Sequence, residues 1–224
     1  PDFEAVVVLP PMPGITAGAV LVIGSGSTER RERAVVLALD PAGRLSGDRQ
    51  QRSLGPLYEP IRAEVAELNV EAAIVSAGAL VLVSRANRGQ TVNTVARFPL
   101  DQVGRWLAGS DRALSPSIGS LRLGEIAGVP LGVTDATAHP NGGWLVSAVA
   151  EDTPDSYADG VVLGAVLVHL NEAGDVVGRW SLEPKLKVEG LETGVMNGDP
   201  VVVVVSDADD PAVPATLAVA PLPG

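Results

Sequence analysis

The sequence Val188-Glu189-Gly190-Leu191 is followed, after a turn, by Val201-Val202-Val203-Val204-Val205-Ser206. An acidic residue opens a short apolar segment, and a strongly apolar segment ending in a small polar residue comes next. The same phrase occurs three more times, with its acidic residue at Glu4, Glu71 and Asp135. Short apolar runs between turn residues predict β-strands, and a set of strands that recurs along the chain indicates a repeat architecture.

The composition agrees with many short strands. Hydrophobic residues make up 46% of the 224 residues but aromatic residues only 3%, so we expect a core of Val, Leu, Ile and Ala. The 25 glycines and 18 prolines favour tight turns between the strands.

Four antiparallel strands in succession form one blade of a β-propeller. We therefore predict an all-β fold, a β-propeller of four-stranded antiparallel blades in a single domain over residues 1–224. The predicted blades cover approximately 1–67, 68–131, 132–185 and 186–224. The last blade has a third strand but no fourth, and no spare strand precedes Glu4. A ring of five or six blades is the alternative, if an N-terminal part of the protein lies outside this chain.

The net charge of −11 argues against a nucleic acid or an anionic membrane as partner, because both require a basic surface. The chain has no cysteine, which excludes disulfides and cysteine nucleophiles. It starts at Pro1 without a methionine, so export after removal of a leader stays an alternative to a default cytoplasmic location. A protein partner is left open.

The repeated Val-Glu-Gly/Ala phrase, followed by a hairpin and Val-Val-Ser-Asp or Leu-Val-Ser-Ala, resembles the blade motif of the esterase-like phytase propellers. A closer resemblance is to an uncharacterised bacterial β-propeller family, a domain of unknown function. The segments that carry it include Ile23-Gly24-Ser25-Gly26-Ser27, Gly132-Val133-Thr134-Asp135-Ala136 and Ser206-Asp207-Ala208-Asp209-Asp210-Pro211. The resemblance implies a propeller, and the more distant group implies ester or phosphoester chemistry. No complete catalytic motif of that group is present, so the catalytic residues stay unknown.

The four acids of the repeat are the first candidate binding residues. The segments that enter the first strand and leave the second strand of a blade lie on one face of a propeller, so these acids should ring one mouth of the channel. They are Glu4, Glu71, Asp135 and Glu189.

The loops after the second strands divide by charge. Those of the first two blades are basic, and their candidate ligand-binding residues are Arg30, Arg33, Arg85 and Arg88. Those of the last two blades are acidic. Arginine binds oxyanions in a bidentate manner, and hard cations such as Ca²⁺ take several carboxylate oxygens. We therefore expect a small anionic ligand together with a divalent cation, whose candidate ligands are Glu71, Asp135, Glu189 and Asp207.

Two readings of these charges stay open. The leading hypothesis is a metal-supported site that binds or hydrolyses an anionic phosphoester or ester. The alternative is a non-catalytic binding or interaction scaffold, in which the acids bind backbone N–H groups and the arginines and acids pair with each other. The two histidines, His139 and His169, show no metal-ligand or catalytic spacing and are expected to be structural. A catalytic site should bring carboxylates together, whereas a scaffold should expose an apolar patch.

Overall fold

The computed structural model describes residues 3–86, 90–110, 112–152, 161–183, 187–207 and 212–223. Within them, four antiparallel sheets follow one another along the chain. The chain divides into two compact units, one of Pro1–Ser84 with Thr94–Gly119 and one of Arg85–Asn93 with Ser120–Gly224. The first two sheets lie mainly in the first unit and the last two in the second.

The first unit contains two four-stranded sheets and two helices. The first sheet consists of β1 (Ala5–Leu9), β2 (Ala19–Ile23), β3 (Arg33–Leu39) and β4 (Leu45–Ser53), in that order. A short 3-10 helix, Glu29–Arg31, precedes β3, and helix α1 (Gly55–Arg62) follows β4. The second sheet consists of β5 (Val70–Ser76), β6 (Ala79–Ser84), β7 (Asn93–Pro99) and β8 (Ser117–Leu121), with helix α2 (Leu100–Leu107) inserted after β7. Neither helix is long and apolar enough to cross a membrane.

The second unit contains the third and fourth sheets. The third consists of β9 (Glu125–Ile126), β10 (Val129–Ala138), β11 (Trp144–Asp152), β12 (Val161–Leu170) and β13 (Val176–Ser181). The fourth consists of β14 (Val188–Met196), β15 (Asp199–Ser206) and β16 (Thr216–Pro221). The prediction of an all-β fold built from antiparallel propeller blades is confirmed.

Tight turns join consecutive strands where the sequence supplies residues that tolerate positive φ. Ala77-Gly78 and Asn197-Gly198 both have positive φ at their two residues, which is the type I′ geometry of two-residue hairpins. This turn matches the twist of the flanking strands, so each hairpin holds its register without further contacts.

A β-bulge recurs in three of the four first strands. The pairing with the second strand shifts by one residue between Val70 and Ala72, between Val133 and Asp135, and between Val188 and Gly190. The skipped residues are Glu71, Thr134 and Glu189. At the bulge, Thr134 therefore occupies the position that Glu71 and Glu189 have in the other two strands, and Asp135 follows it by one residue. A one-residue offset turns a side chain to the other face of the strand.

The core of the first unit is mostly aliphatic, as the composition predicts. Its aromatic members are Tyr58, Phe98 and Trp106. Tyr58 from α1 lies against Gly26, where an added Cβ would come within 2.6 Å of the ring. The Tyr58 hydroxyl donates a hydrogen bond to the carbonyl of Gly24, and burial raises the pKa of this phenol. Helix α1 is thus anchored to the turn after β2.

Helix α2 packs directly on the turn after β1. A Cβ at Gly104 would lie 2.6 Å from the carbonyl oxygen of Pro13 and 3.2 Å from Cγ of Met12. Gly14, at φ +94°, approaches the same helix turn, with the carbonyl oxygen of Gly104 at 2.9 Å from its would-be Cβ. Two glycines therefore set the distance between helix and turn.

Gly104→Ala should destabilise the protein, although alanine is the better helix former by about 1 kcal/mol. The clash with backbone should cost about 1–3 kcal/mol, which lowers Tm by several degrees. Thermal unfolding measures the change. The matched control is Gly119→Ala in β8, where an added Cβ meets nothing within 4 Å. A Tm for Gly104→Ala equal to or above that of the control would contradict this packing.

Candidate functional site

The candidate acids of the first unit both have partners. Glu4 continues the β1 ladder through its N–H, which donates to Ile23 at 2.9 Å, and its Oε1 lies 3.9 Å from Nη1 of Arg31. Glu71 is 8% exposed and accepts a hydrogen bond from Nδ2 of Asn69 at 2.5 Å. Both carboxylates are therefore tied to residues of their own unit.

Asp135 holds β10 to the neighbouring first strand, β14. Its Oδ1 accepts the N–H of Ala136 at 2.7 Å, and its Oδ2 accepts the N–H of Leu191 at 2.7 Å. Burial raises the pKa of Asp135 to about 7, the two backbone hydrogen bonds oppose that rise, and the nearby charges of Glu192 and Glu189 add to it. The side chain acts here as an acceptor for backbone donors at a strand edge.

A second acid, Glu192 on β14, also serves as a hydrogen-bond acceptor. Its Oε1 accepts hydrogen bonds from Oγ1 of Thr137 at 2.6 Å and from the N–H of Thr193 at 2.8 Å. Oγ1 of Thr193 donates in turn to the carbonyl of Ala138 at 3.1 Å. Sequence analysis did not select Glu192 because it stands inside the strand, three residues after the acid that opens the phrase. The candidate acid Glu189 lies 3.5 Å from Nζ of Lys187.

The clearest ion pair of the second unit joins the basic loop after β6 to the end of strand β11. Nη2 of Arg85 lies 2.5 Å from Oε2 of Glu151, and the two side chains are only 15% and 7% exposed. The Arg85 side chain crosses Gly132, whose would-be Cβ lies 2.7 Å from Nε of Arg85. Glycine at that position in β10 makes room for the guanidinium.

The other candidate arginines are Arg30, Arg33 and Arg88. Arg30 and Arg33 are exposed at the 3-10 helix and at the start of β3. Arg88 lies outside the described residues. In the same region Arg62, which sequence analysis did not select, contacts Oε1 of Glu32 at 2.6 Å and the carbonyl of Gly26 at 2.7 Å.

Asn93, which no sequence motif marks, is a buried polar side chain of the second unit whose amide is hydrogen-bonded at both ends. It is 1% exposed. Its Oδ1 accepts the N–H groups of Ala86 at 3.1 Å and Val133 at 3.0 Å, and its Nδ2 donates to the carbonyl of Leu131 at 2.9 Å. The amide connects the loop after β6 to β10, so its role is structural.

The metal prediction concerned Glu71, Asp135, Glu189 and Asp207. Among the residues that the structure describes, no group of three or more His, Asp or Glu side chains is placed to hold a metal ion. Asp207 is exposed, and its N–H donates to the carbonyl of Lys187 at 3.2 Å. Metal binding by these acids stays a prediction.

The two histidines stack on each other at the β10–β11 turn. Their ring centroids are 3.8 Å apart. Nδ1 of His139 accepts the N–H of Asn141 at 3.2 Å, and Nε2 of His169 donates to the carbonyl of Gly142 at 2.9 Å. Burial lowers the pKa of His139, and the charge of His169 lowers it further. Both rings serve the turn, as expected for structural histidines.

Comparison with known proteins gives one match. Residues 1–211 match the profile of a family described as a family of unknown function (DUF6910). A search among curated proteins and a search among solved structures each find no match.

Asp135→Asn should change how stability depends on pH. The pKa of Asp135 is about 7 in the folded protein and about 4 when unfolded. Between these values the folded state binds more protons, so the contribution of Asp135 is fully present below about pH 4 and is lost as pH rises through 7. The wild-type free energy of unfolding should therefore fall relative to Asp135→Asn by roughly 2–3 kcal/mol from pH 5 to pH 8.

Urea unfolding of both proteins across this range measures the difference. Asp48→Asn, on the exposed strand β4, is the control and should run parallel to the wild type. Parallel curves for Asp135→Asn and the wild type would contradict a buried Asp135 whose pKa is raised.

Proposed function

The chain belongs to the DUF6910 family of unknown function, and we propose that it is a non-catalytic binding propeller. The observation that carries this proposal is the use of the candidate charges inside the protein. Both oxygens of Asp135 accept backbone N–H groups, and Arg85 is paired with Glu151 over Gly132. Groups committed to backbone donors and to each other are poor candidates for acid–base or Lewis-acid chemistry.

The burial of the Arg85–Glu151 pair strengthens this argument. Removing one partner of a buried ion pair leaves an uncompensated charge, which costs about 3 kcal/mol or more. A substrate that recruited either group would have to pay a similar cost before any reaction. The burial of the pair therefore supports a structural role for Arg85 and Glu151.

An exposed apolar surface on the fourth sheet supports the same class of function. Val205 pairs with Leu217 across β15 and β16, so the two side chains share one face of the sheet, together with Val219 two residues farther along. Leu217 is 68% exposed, Val219 40% and Val205 39%. Exposed apolar patches mark interaction surfaces more often than catalytic ones.

The competing function is metal-supported hydrolysis of a phosphoester or ester, which the resemblance to esterase-like phytase propellers implies. It requires carboxylates that share an ion. Asp135 is a candidate acid on which two other carboxylates act, those of Glu192 and Glu189. A divalent cation at these acids would relieve their repulsion, which makes the two functions distinguishable by experiment.

The test combines metal titration with substrate screening on the full chain. Ca²⁺, Mg²⁺, Mn²⁺ and Zn²⁺ are each titrated while Tm is recorded, and p-nitrophenyl phosphate, bis-p-nitrophenyl phosphate, p-nitrophenyl acetate and a lactone are offered with each metal. A binding propeller should show no turnover above buffer and no saturable rise in Tm. A specific ion at 100 times its Kd would instead add about 2.7 kcal/mol, or several degrees.

The decisive variant is Asp135→Asn, with Asp48→Asn as the matched exposed control. Metal-dependent turnover that Asp135→Asn abolishes and Asp48→Asn retains would overturn the proposal in favour of hydrolysis. Turnover that both variants retain would overturn it as well, but would place the reaction away from Asp135.

A further inference from the structure

A cavity in the first unit has none of the candidate acids among its lining residues. It has a volume of about 470 Å³, which is within the range of small-molecule sites. Its walls come from the end of β4, the outer face of α1, the end of α2 and the chain that follows α2. The lining side chains that matter for its chemistry are Arg52, Glu59, Pro60, Trp106, Arg112 and Leu114.

The fold explains why this cavity is open. Leu57, Tyr58 and Ile61 of α1 point into the core, so the opposite face, with Pro56, Glu59 and Pro60, borders the cavity. Residues three and four apart share one side of a helix. The rings of Pro56 and Pro60 therefore lie on the side of α1 opposite the core and form part of the cavity wall.

The end of α2 shapes the opposite wall. The N–H of Gly109, at φ +89°, donates to Trp106, and the N–H of Ser110 donates to Arg105. These two bonds form a Schellman motif, which reverses the chain at the helix end. Oε1 of Gln102 accepts the N–H of Ser115 at 2.9 Å, which holds the returning segment, with Arg112 and Leu114, against α2.

Arg52 brings a positive charge to this wall. Its Nη2 donates to the carbonyl of Leu107 at 3.0 Å and to Oε1 of Gln50 at 2.7 Å. Its Nε is buried and has no hydrogen-bond partner in the part of the chain that the structure describes. A buried donor without an acceptor costs about 1–3 kcal/mol. An oxyanion that enters beside Arg52 can supply the missing acceptor after a small side-chain adjustment.

The described residues that line the cavity carry more positive than negative charge. They include two arginines, Arg52 and Arg112, and one carboxylate, Glu59, whereas the whole chain carries −11. A single excess positive charge favours a singly charged anion over a phosphate dianion, because Glu59 repels additional negative charge. Trp106, Pro60 and Leu114 offer apolar surface to the remainder of the ligand.

We propose that this cavity binds a small organic carboxylate, with the carboxylate on Arg52 and Arg112 and an apolar body against Trp106 and Pro60. This proposal names a ligand class for the binding function proposed above. It rests on that function in one respect, namely that the ligand is bound and not converted. The site is separate from the residues tested for catalysis. A failure of ligand binding and a finding of turnover are therefore distinct outcomes.

The test uses ligand-observed NMR on the full chain with three probes: 3-phenylpropionate, its neutral amide 3-phenylpropionamide, and inorganic phosphate. We expect 3-phenylpropionate to bind at millimolar concentration or below, the amide to bind at least about 5-fold more weakly because it lacks the charge-assisted bonds, and phosphate not to compete. Equal binding of acid and amide, effective competition by phosphate, or no binding of the acid at 10-fold higher concentrations (~10 mM) would overturn the proposal.

Two variant pairs locate the binding. Arg112→Ala should weaken 3-phenylpropionate about 5- to 10-fold, whereas Arg105→Ala, which removes an exposed arginine of α2 paired with Asp101, should not. Ala113→Trp should block the cavity, since Ala113 is exposed and lines it, whereas Ala42→Trp in the exposed β3–β4 turn should have no effect. Equal effects within either pair would place the binding elsewhere and overturn the proposal.

Discussion

In each unit, the strand edges at which one sheet meets the next impose the main constraint on the structure. A strand at the edge of a sheet presents N–H and C=O groups without ladder partners, and buried groups of this kind must find acceptors or donors elsewhere. In the second unit the side chains of Asp135 and Glu192 provide acceptors for Leu191, Ala136 and Thr193. In the first unit the carbonyl of Ser25 accepts the N–H of Val70, at the start of β5. Of the acids that open the strands, Asp135 thus helps to attach one sheet to the next.

Much of the fold follows from local pattern. Apolar runs such as Val201 to Val205, bounded by turn residues, predict strands, because the strand period is a property of neighbouring residues. Dipeptides such as Asn197-Gly198 predict hairpin turns, because positive φ is likewise a local property. The one-residue offset of Asp135 from the other acids, relative to the bulge, could not be predicted from the sequence. A bulge depends on pairing with a second strand, and Val133-Thr134-Asp135 looks the same in sequence with or without it.

The sequence predicted which types of residue the candidate site contains, but not which of them contact each other. Sequence analysis identified basic and acidic loops, and left open that their charges pair internally. It had no means of choosing Arg85 with Glu151, since the pair depends on the space above Gly132 in another strand. The cavity of the first unit was missed altogether. Arg52, Pro60 and Trp106 come from a strand and two helices and share no motif.

Hydrogen–deuterium exchange at the amide of Leu191 tests most directly whether the Asp135 carboxylate joins β10 to β14. If the Asp135 carboxylate serves as its acceptor, the amide is protected in the wild type and exchanges faster by an order of magnitude or more in Asp135→Ala. Its exchange is unaffected by about 10 mM Ca²⁺, roughly ten times the Kd of the weakest extracellular calcium sites. The amide of Val204, in the central strand β15, serves as the internal reference. Unchanged protection of Leu191 in Asp135→Ala, or a Ca²⁺-dependent change that requires Asp135, would contradict the account.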